Sequence, residues 1–334
     1  MSRYSIAFYL ESVPFTADVI AGTTSLGGSE SACIGLARGL AARGHDVHCY
    51  AQQLAEACDG QADHAGVTWH HADDLRSTAR FIEWDVFVSL RMPGVFSANI
   101  PARLRLLWNQ DLLIGEAGKN LTMGAAWAID QFVYVSDFHR QQWEEYLPEV
   151  AGYGWVTKNG YDHAHVPTGI VKHPNRTIHI SRPERGLGPI LAMWPTVRAE
   201  RPDAELHLCR YNSMYDAGGW GKVCASYDEA VQQVNDEVGG ITYLGELGKA
   251  DLYRAIAGAA VMWYPGVADF AETSCIAAIE AQANGTPFVG SWKGALPETV
   301  PHGILISGDA YSEDYQAQSI AAVLSMLDGC AHQG

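Results

Sequence analysis

Two glutamates, Glu272 and Glu280, stand eight positions apart in FAETSCIAAIEAQANGTPFVG, a run of small apolar residues at 270–290. Carboxylates are acceptors suited to paired hydroxyls. In a helix starting near Glu272, a rise of ~1.5 Å per residue sets the acids ~12 Å apart along the axis and turns the second by roughly 80°. That span suits two hydroxyl-bearing rings with a diphosphate between them, the layout of a nucleotide sugar. The backbone N–H groups of Thr273 and Ser274, with Phe270 and Ala271 just ahead, would open the helix without partners and favour an anion. The same positions admit a plain reading. Glu272 then complements the helix dipole, and Glu280 is a solvated flank beside Thr273 and Asn284.

Two further stretches carry groups that fit phosphate. SLGGSE closes a segment of about eighteen residues after the first apolar run, and loops beyond ~12–15 residues are usually functional or disordered. Gly27 and Gly28 let backbone approach a ligand ahead of a helix N-terminus. The stretch is not G-x-G-x-x-G, and a plain helix start capped by Ser29 is the alternative. In SRPERGL, Arg182 and Arg185 flank a turn after a predicted strand. An arginine fork can donate two hydrogen bonds to phosphate oxygens, although arginines in such turns are commonly solvated. No Asp-x-Asp pair occurs in the sequence, which removes the usual aspartate clamp for a metal-bound nucleotide. His70-His71 and His163-x-His165 lack companions at metal-ligand spacing and read as surface or turn residues. The expectation is a site without metal.

Positioning these groups falls to alternating strands and helices. Strands are predicted at 4–10, 45–51, 84–90, 103–108 and 131–136, with helices over 29–44 and 137–147. The pattern restarts with a strand at 176–181, a proline-broken helix in GLGPILAMWPTVRAERP, and strands in AELHLCR, GITYLGE and AVMWYP. Between the last two lies a helix in KADLYRAIAGA. The glutamate helix follows, then the strand PFVGS and a final helix near 313–328. Such alternation argues for parallel, doubly wound sheets. Two in series predict two domains, 1–165 and 166–334, hinged in NGYDHAHVPTGIVKHPN.

The chain has 334 residues, 48% hydrophobic and 18% charged, enough apolar material for two packed cores. With 22 basic against 38 acidic residues, the net charge of −16 disfavours nucleic acid and broad anionic surfaces as partners. The seven scattered cysteines never form C-x-x-C and fit a reduced compartment. The first residues hold too short an apolar stretch for a signal peptide, and no run reaches the ~18 apolar residues of a membrane span. The expected location is cytoplasmic, with peripheral membrane contact left open.

Taken together and in order, these segments resemble the retaining glycosyltransferases of family four, which have the GT-B fold. LGGSE resembles the family's Gly-Gly loop, YVSDFHRQQW its strand-to-helix segment, and TKNGYD its Asn-Gly-x-Asp stretch. SRPERGLGPILAMWPTVRAERPDAELHL resembles its Arg…Lys-Gly segment, with Arg185 in the lysine's place. The block from YLGELGK to LPETV carries the Glu-x7-Glu motif at Glu272 and Glu280. The resemblance implies two Rossmann-like domains facing a cleft, and transfer of a sugar from a UDP- or GDP-sugar co-substrate to a hydroxyl acceptor. It implies no other cofactor and no metal. Glu280 would hold the ribose and Glu272 the donor sugar. Thr273, Ser274, Arg182 and Arg185 would bind the diphosphate, approached by Gly28. Where many members carry a histidine near the donor sugar, this sequence has Gln110 before Asp111. A non-catalytic GT-B module binding nucleotide or glycan, and a nucleotide-sugar epimerase, are the alternative readings.

Overall fold

A computed structural model describes residues 2–11, 14–77, 79–209, 220–267 and 270–331. The chain divides into two compact units. One comprises 1–22 and 26–160, the other 23–25 and 161–334.

The first unit is a seven-stranded sheet of β1 (Ser5–Leu10), β2 (Asp46–Ala51), β3 (Thr68–His71), β4 (Trp84–Leu90), β5 (Ala102–Trp108), β6 (Gln131–Tyr134) and β7 (Gly154–Val156). Their spatial order is β3-β2-β1-β4-β5-β6-β7, and every ladder is parallel. Parallel neighbours need crossovers, and helices α1 (Ala17–Ala21), α2 (Gly28–Ala41), α3 (Asp74–Ser77), α4 (Gly115–Ala125) and α5 (Asp137–Tyr146) lie along the connections. α5 opens where the Ser136 hydroxyl accepts the His139 N–H, which satisfies one of the free donors of its first turn. Large side chains fill the core: Trp84 and Phe87 from β4, Leu107 from β5, Phe132 and Tyr134 from β6, and Trp143 from α5.

The second unit repeats the plan with six strands, β8 (His173–His179), β9 (Glu205–Cys209), β10 (Ile241–Gly245), β11 (Ala259–Tyr264), β12 (Phe288–Ser291) and β13 (Ile304–Ile306). The order β10-β9-β8-β11-β12-β13 is again all parallel. Its helices are α6 (Leu187–Glu200), α7 (Trp220–Val238), α8 (Lys249–Ala257), α9 (Ile276–Ala283), α10 (Leu296–Thr299) and α11 (Glu313–Ala331). Strand β11 is buried along its whole length, so both its faces are apolar. Val261 and Trp263 enter a core with Trp194, Leu206 and Tyr315. Met262 and Tyr264 enter another with Tyr253, Phe288 and Cys275. Fully burying a side chain of this size contributes roughly 1.5–3 kcal/mol, so β11 is a firm base for whatever follows it.

In both sheets the strand order reverses beside the first strand, between β1 and β4 and between β8 and β11. Open α/β sheets bind ligands outside the carboxyl ends of strands at such a switch point.

Four sequence expectations change. The glutamate helix begins at Ile276, not near Glu272, so Glu272 lies in the preceding loop and the helical spacing of the two acids does not hold. α6 runs unbroken through Pro189 and Pro195. Pro189 sits in its first turn, where its missing N–H costs nothing, and the buried apolar face of α6 holds the later turns together. The strand expected at 176–181 is displaced toward the N-terminus, to His173–His179. His70 and His71 belong to β3, with His70 half-buried and stacked on Tyr50 at 4.7 Å between ring centroids. His163 and His165 do occupy a short turn, where His165 Nδ1 bonds Asp162 Oδ2 at 2.8 Å.

Candidate functional site

In the second unit, the predicted residues collect where β8 and β11 end. After β8, Arg182 and Arg185 occupy the turn that leads into α6. Gly186 closes that turn at φ +138°, and a Cβ there would lie 2.3 Å from the Pro265 carbonyl. Only glycine allows the turn to press so closely on the chain leaving β11. Arg185 is thereby laid over the Phe270 ring, its guanidinium carbon 4.2 Å from the centroid. Its Nη1 stands 3.6 Å from Glu272 Oε1.

Glu272 is buried, 7% exposed. Its Oε1 also accepts the Tyr264 hydroxyl. Burial, and then the nearby Glu272 charge, push the Tyr264 pKa well above its usual value, so the phenol remains a donor. Burial works against the Arg185 charge, but Glu272, Tyr264 and other neighbours outweigh it and raise its pKa. The guanidinium is therefore a permanent cation. Its Nε is buried and has no hydrogen-bond partner among the described residues. A buried donor left unmatched is costly, and here it belongs to a group shaped for phosphate. The backbone of Glu272 is held as well. Its carbonyl accepts the Ala295 N–H at 2.8 Å. Gly294, at φ +55°, packs so closely that a Cβ would meet the Glu272 carbonyl oxygen at 2.6 Å.

Thr273 and Ser274 form a bend, with Ser274 buried and Thr273 half-buried. They precede α9, so the unpartnered helical N–H groups belong to residues after Cys275, its cap. Ala271 is half-buried beside Glu272. Arg182 pairs with Glu184, its Nε 2.9 Å from Glu184 Oε1.

Glu280 lies on α9, 4% exposed, with Lys249 Nζ 2.7 Å from its Oε1. The Tyr253 hydroxyl also faces it; burial first, then Glu280, raises the Tyr253 pKa, which keeps that hydroxyl protonated. The plain reading of Glu280 as a solvated flank is thus overturned. Sequence reasoning missed Lys249, Tyr253, Tyr264 and His179. His179 ends β8, fully buried, with Nδ1 3.0 Å from the Trp263 carbonyl. Desolvation pushes its pKa down to about 4, so the ring is neutral and its Nδ1–H donates. Among these, only Lys249 carried a sequence signal, an isolated cation opening the helix before β11.

In the first unit, the predicted residues again stand at carboxyl ends. α2 starts at Gly28 and is capped by Gly27 without a side-chain bond, so Ser29 is not the cap. Within this first helical turn, Glu30 is buried, and Arg91 Nη1 lies 3.6 Å from its Oε1. Arg91 follows β4 in a left-handed conformation, φ +67°, which costs a non-glycine residue on the order of 1–3 kcal/mol and clusters at functional sites. Its Nε donates to Asp111 Oδ2 at 2.5 Å. A chain of alternating charge, Glu30–Arg91–Asp111, therefore crosses the ends of β4 and β5 beside the Gly27–Gly28 turn. The Asp111 carbonyl accepts from Trp143 Nε1 at 3.0 Å and from His139 Nε2 at 2.8 Å. His139 Nδ1 accepts the Val135 N–H, so Nε2 carries the proton. Burial pushes this histidine's pKa down to about 4.

Gln110 is buried and forms a reciprocal amide pair with Asn159. Its Nε2 donates to Asn159 Oδ1 at 3.1 Å, and its Oε1 accepts from Asn159 Nδ2 at 3.0 Å. Glu30 and Arg91 were not foreseen; the only hint was the acid ending LGGSE.

The family model described as "Glycosyl transferases group 1" matches residues 177–328, which lie in the second unit and make up somewhat under half of the chain. No curated protein matches the sequence. Solved structures match nearly the whole chain. It is similar to Anabaena HepE, crystallised with UDP and glucose, at 16% identity, covering 99% of this chain and 95% of that one, with a TM-score of 0.66. AviGT4, a glycosyltransferase involved in avilamycin A biosynthesis, is 15% identical over 98% and 92%, TM-score 0.64. WaaG, a glycosyltransferase involved in lipopolysaccharide biosynthesis, is 14% identical over 97% and 90%, TM-score 0.66. Likeness at such identities fixes the fold, that of the GT-B glycosyltransferases. The group 1 match and these neighbours together support glycosyl transfer as the class of activity. No helix among the described residues is long and apolar enough to cross a membrane.

Proposed function

We propose that this chain is a retaining glycosyltransferase of family four, moving a sugar from a UDP- or GDP-linked donor to a hydroxyl acceptor without a catalytic metal. The observation that carries the reading is the Arg185–Glu272–Tyr264 group, a half-buried guanidinium on a buried carboxylate and phenol, with its unmatched Arg185 Nε. A diphosphate supplies the acceptor that Nε lacks, and the Phe270 ring fixes the plane of the guanidinium against it. Arg182, Thr273 and Ser274, with the N–H groups opening α9, complete the phosphate contacts. Glu272, held by Tyr264, takes the hydroxyls of the donor sugar, and Glu280 takes the ribose. Lys249, 2.7 Å from Glu280 Oε1, orients that carboxylate for the task. HepE, with UDP and glucose bound, is consistent with such a donor.

Transfer with retention then proceeds by front-face attack. The acceptor hydroxyl bonds to the anomeric carbon, the bond to the leaving phosphate oxygen breaks, and that oxygen takes the hydroxyl proton. Arg185 neutralises the charge that grows on the phosphate. In the first unit, Gln110 and Asp111 are the residues that meet the acceptor.

The test is calorimetric titration of the chain with UDP and GDP, followed by a panel of nucleotide sugars with simple glycoside acceptors and NMR assignment of the product anomer. Binding of a nucleoside diphosphate and an anomer matching the donor's are expected. No binding at millimolar nucleotide, or an inverted product, refutes the proposal. The closed Gln110–Asn159 pair favours a second reading, a binding module without turnover. Tight binding with no product on any acceptor would select it.

A further inference from the structure

At the edge of the first sheet, three potential metal ligands converge from three separate elements. Asp59 follows a short helical turn, Glu56–Cys58; His70 is on β3; Asp74 opens α3. One ring nitrogen of His70 and one carboxylate oxygen from each aspartate lie within 4.8 Å of one another. Three ligands ~2.1 Å from a tetrahedral zinc stand ~3.4 Å apart, so side-chain shifts of up to about 0.8 Å would close them on one ion.

Hydrogen bonding fixes the histidine's role. His48 Nε2 is 3.5 Å from Asp46 Oδ1, which only accepts. With both rings uncharged, His48 Nδ1 is then an acceptor and takes the proton of His70 Nε2 at 2.8 Å. His70 Nδ1 is left with its lone pair. A metal-bound histidine commonly donates its other N–H to such a partner, which fixes tautomer and ring orientation. Stacking on Tyr50 holds the ring further. The carboxylates are oriented too: Asp59 Oδ1 accepts the His71 N–H at 3.0 Å, and Asp74 Oδ1 accepts the Ser77 hydroxyl at 3.3 Å. Each retains a second oxygen. Three electron-pair donors so arranged repel one another.

We propose that Asp59, His70 and Asp74 bind a divalent transition-metal ion, with His48 as the positioning residue behind His70. The imidazole and carboxylate set suits zinc, with water completing the shell. The ion ties the 56–58 turn and the start of α3 to edge strand β3. This site is separate from the sugar-transfer residues, and its test needs no turnover.

The test is calorimetric titration of the chelator-treated full chain with ZnCl2. One-site binding is expected, weakened at least tenfold in Asp59→Asn and in Asp74→Asn. His48→Gln should weaken it about 10–100-fold while leaving all three ligands in place. A His163→Gln/His165→Gln double variant should bind as the parent does. The asparagine variants keep side-chain volume, and matching melting curves in EDTA would confirm their fold. Absence of zinc binding, or aspartate variants that bind as tightly as the parent, overturns the proposal. So does loss of binding in the His163/His165 control.

Discussion

Arg185 and Glu272 illustrate how one partly buried pair can serve two ends. Their 3.6 Å separation is close enough for Glu272 to favour the Arg185 cation and too long for a direct hydrogen bond, so the guanidinium keeps donors for a ligand. Replacing Glu272 by alanine should leave nucleotide affinity within threefold and cut kcat by at least ~10²-fold, the scale expected when a positioning or charge-stabilising contact is lost. Steady-state kinetics beside UDP calorimetry would check it. An unchanged kcat would remove Glu272 from the chemistry. Glu280→Ala should do the reverse. It should weaken UDP by about tenfold or more, because it deletes the ribose acceptor and strands Lys249, while saturating donor restores most of kcat. Arg185→Lys keeps the charge but loses the fork and its stacking on Phe270. Donor KM should rise and kcat fall together.

At the scale of elements, the loops decide more than the helices. Alternating apolar runs made the parallel sheets legible, because strands buried on both faces leave continuous stretches such as AVMWY. The Glu-x7-Glu spacing singled out a segment whose two acids are both buried, yet a helical reading of it was wrong at its first turn. Nothing in FAETSC announces a bend, since Thr273 and Ser274 also suit a helix start; the bend is imposed by the packing of Gly294 and Ala295 on Glu272. Glu30, Arg91 and His179 were not foreseen for a related reason: their partners lie far along the chain. Gly186 offers a direct test of loop control. Gly186→Ala would force a Cβ onto the Pro265 carbonyl, so the turn must move and carry Arg185 off Phe270. The expected result is a Tm lower by several degrees and UDP binding weakened at least tenfold, with the far-UV spectrum unchanged. Native-like binding would show that the turn does not set the site.

Across the whole molecule, two buried histidines link stability to pH. His139 and His179 have pKa values pushed down to about 4 by burial, against about 6.5 in an unfolded chain. Between these values the unfolded state binds more protons, so stability rises with pH through the window and is lost as pH falls from about 6.5 toward 4. Each contributes on the order of 1.4 kcal/mol per pH unit there. Tm measured from pH 7 to 4.5 should therefore fall, and His139→Gln should flatten the slope. A slope identical in the variant would assign the acid sensitivity elsewhere.

The strands of each sheet run the same way throughout, so none can be joined to its neighbour by a tight turn. Every ladder has to wait until a crossover has brought distant segments together, and loop-closure entropy is lost before that contact repays it. Refolding from denaturant should accordingly be slow, with strand edges transiently open to other chains, and this chain is best kept dilute while its two sheets assemble.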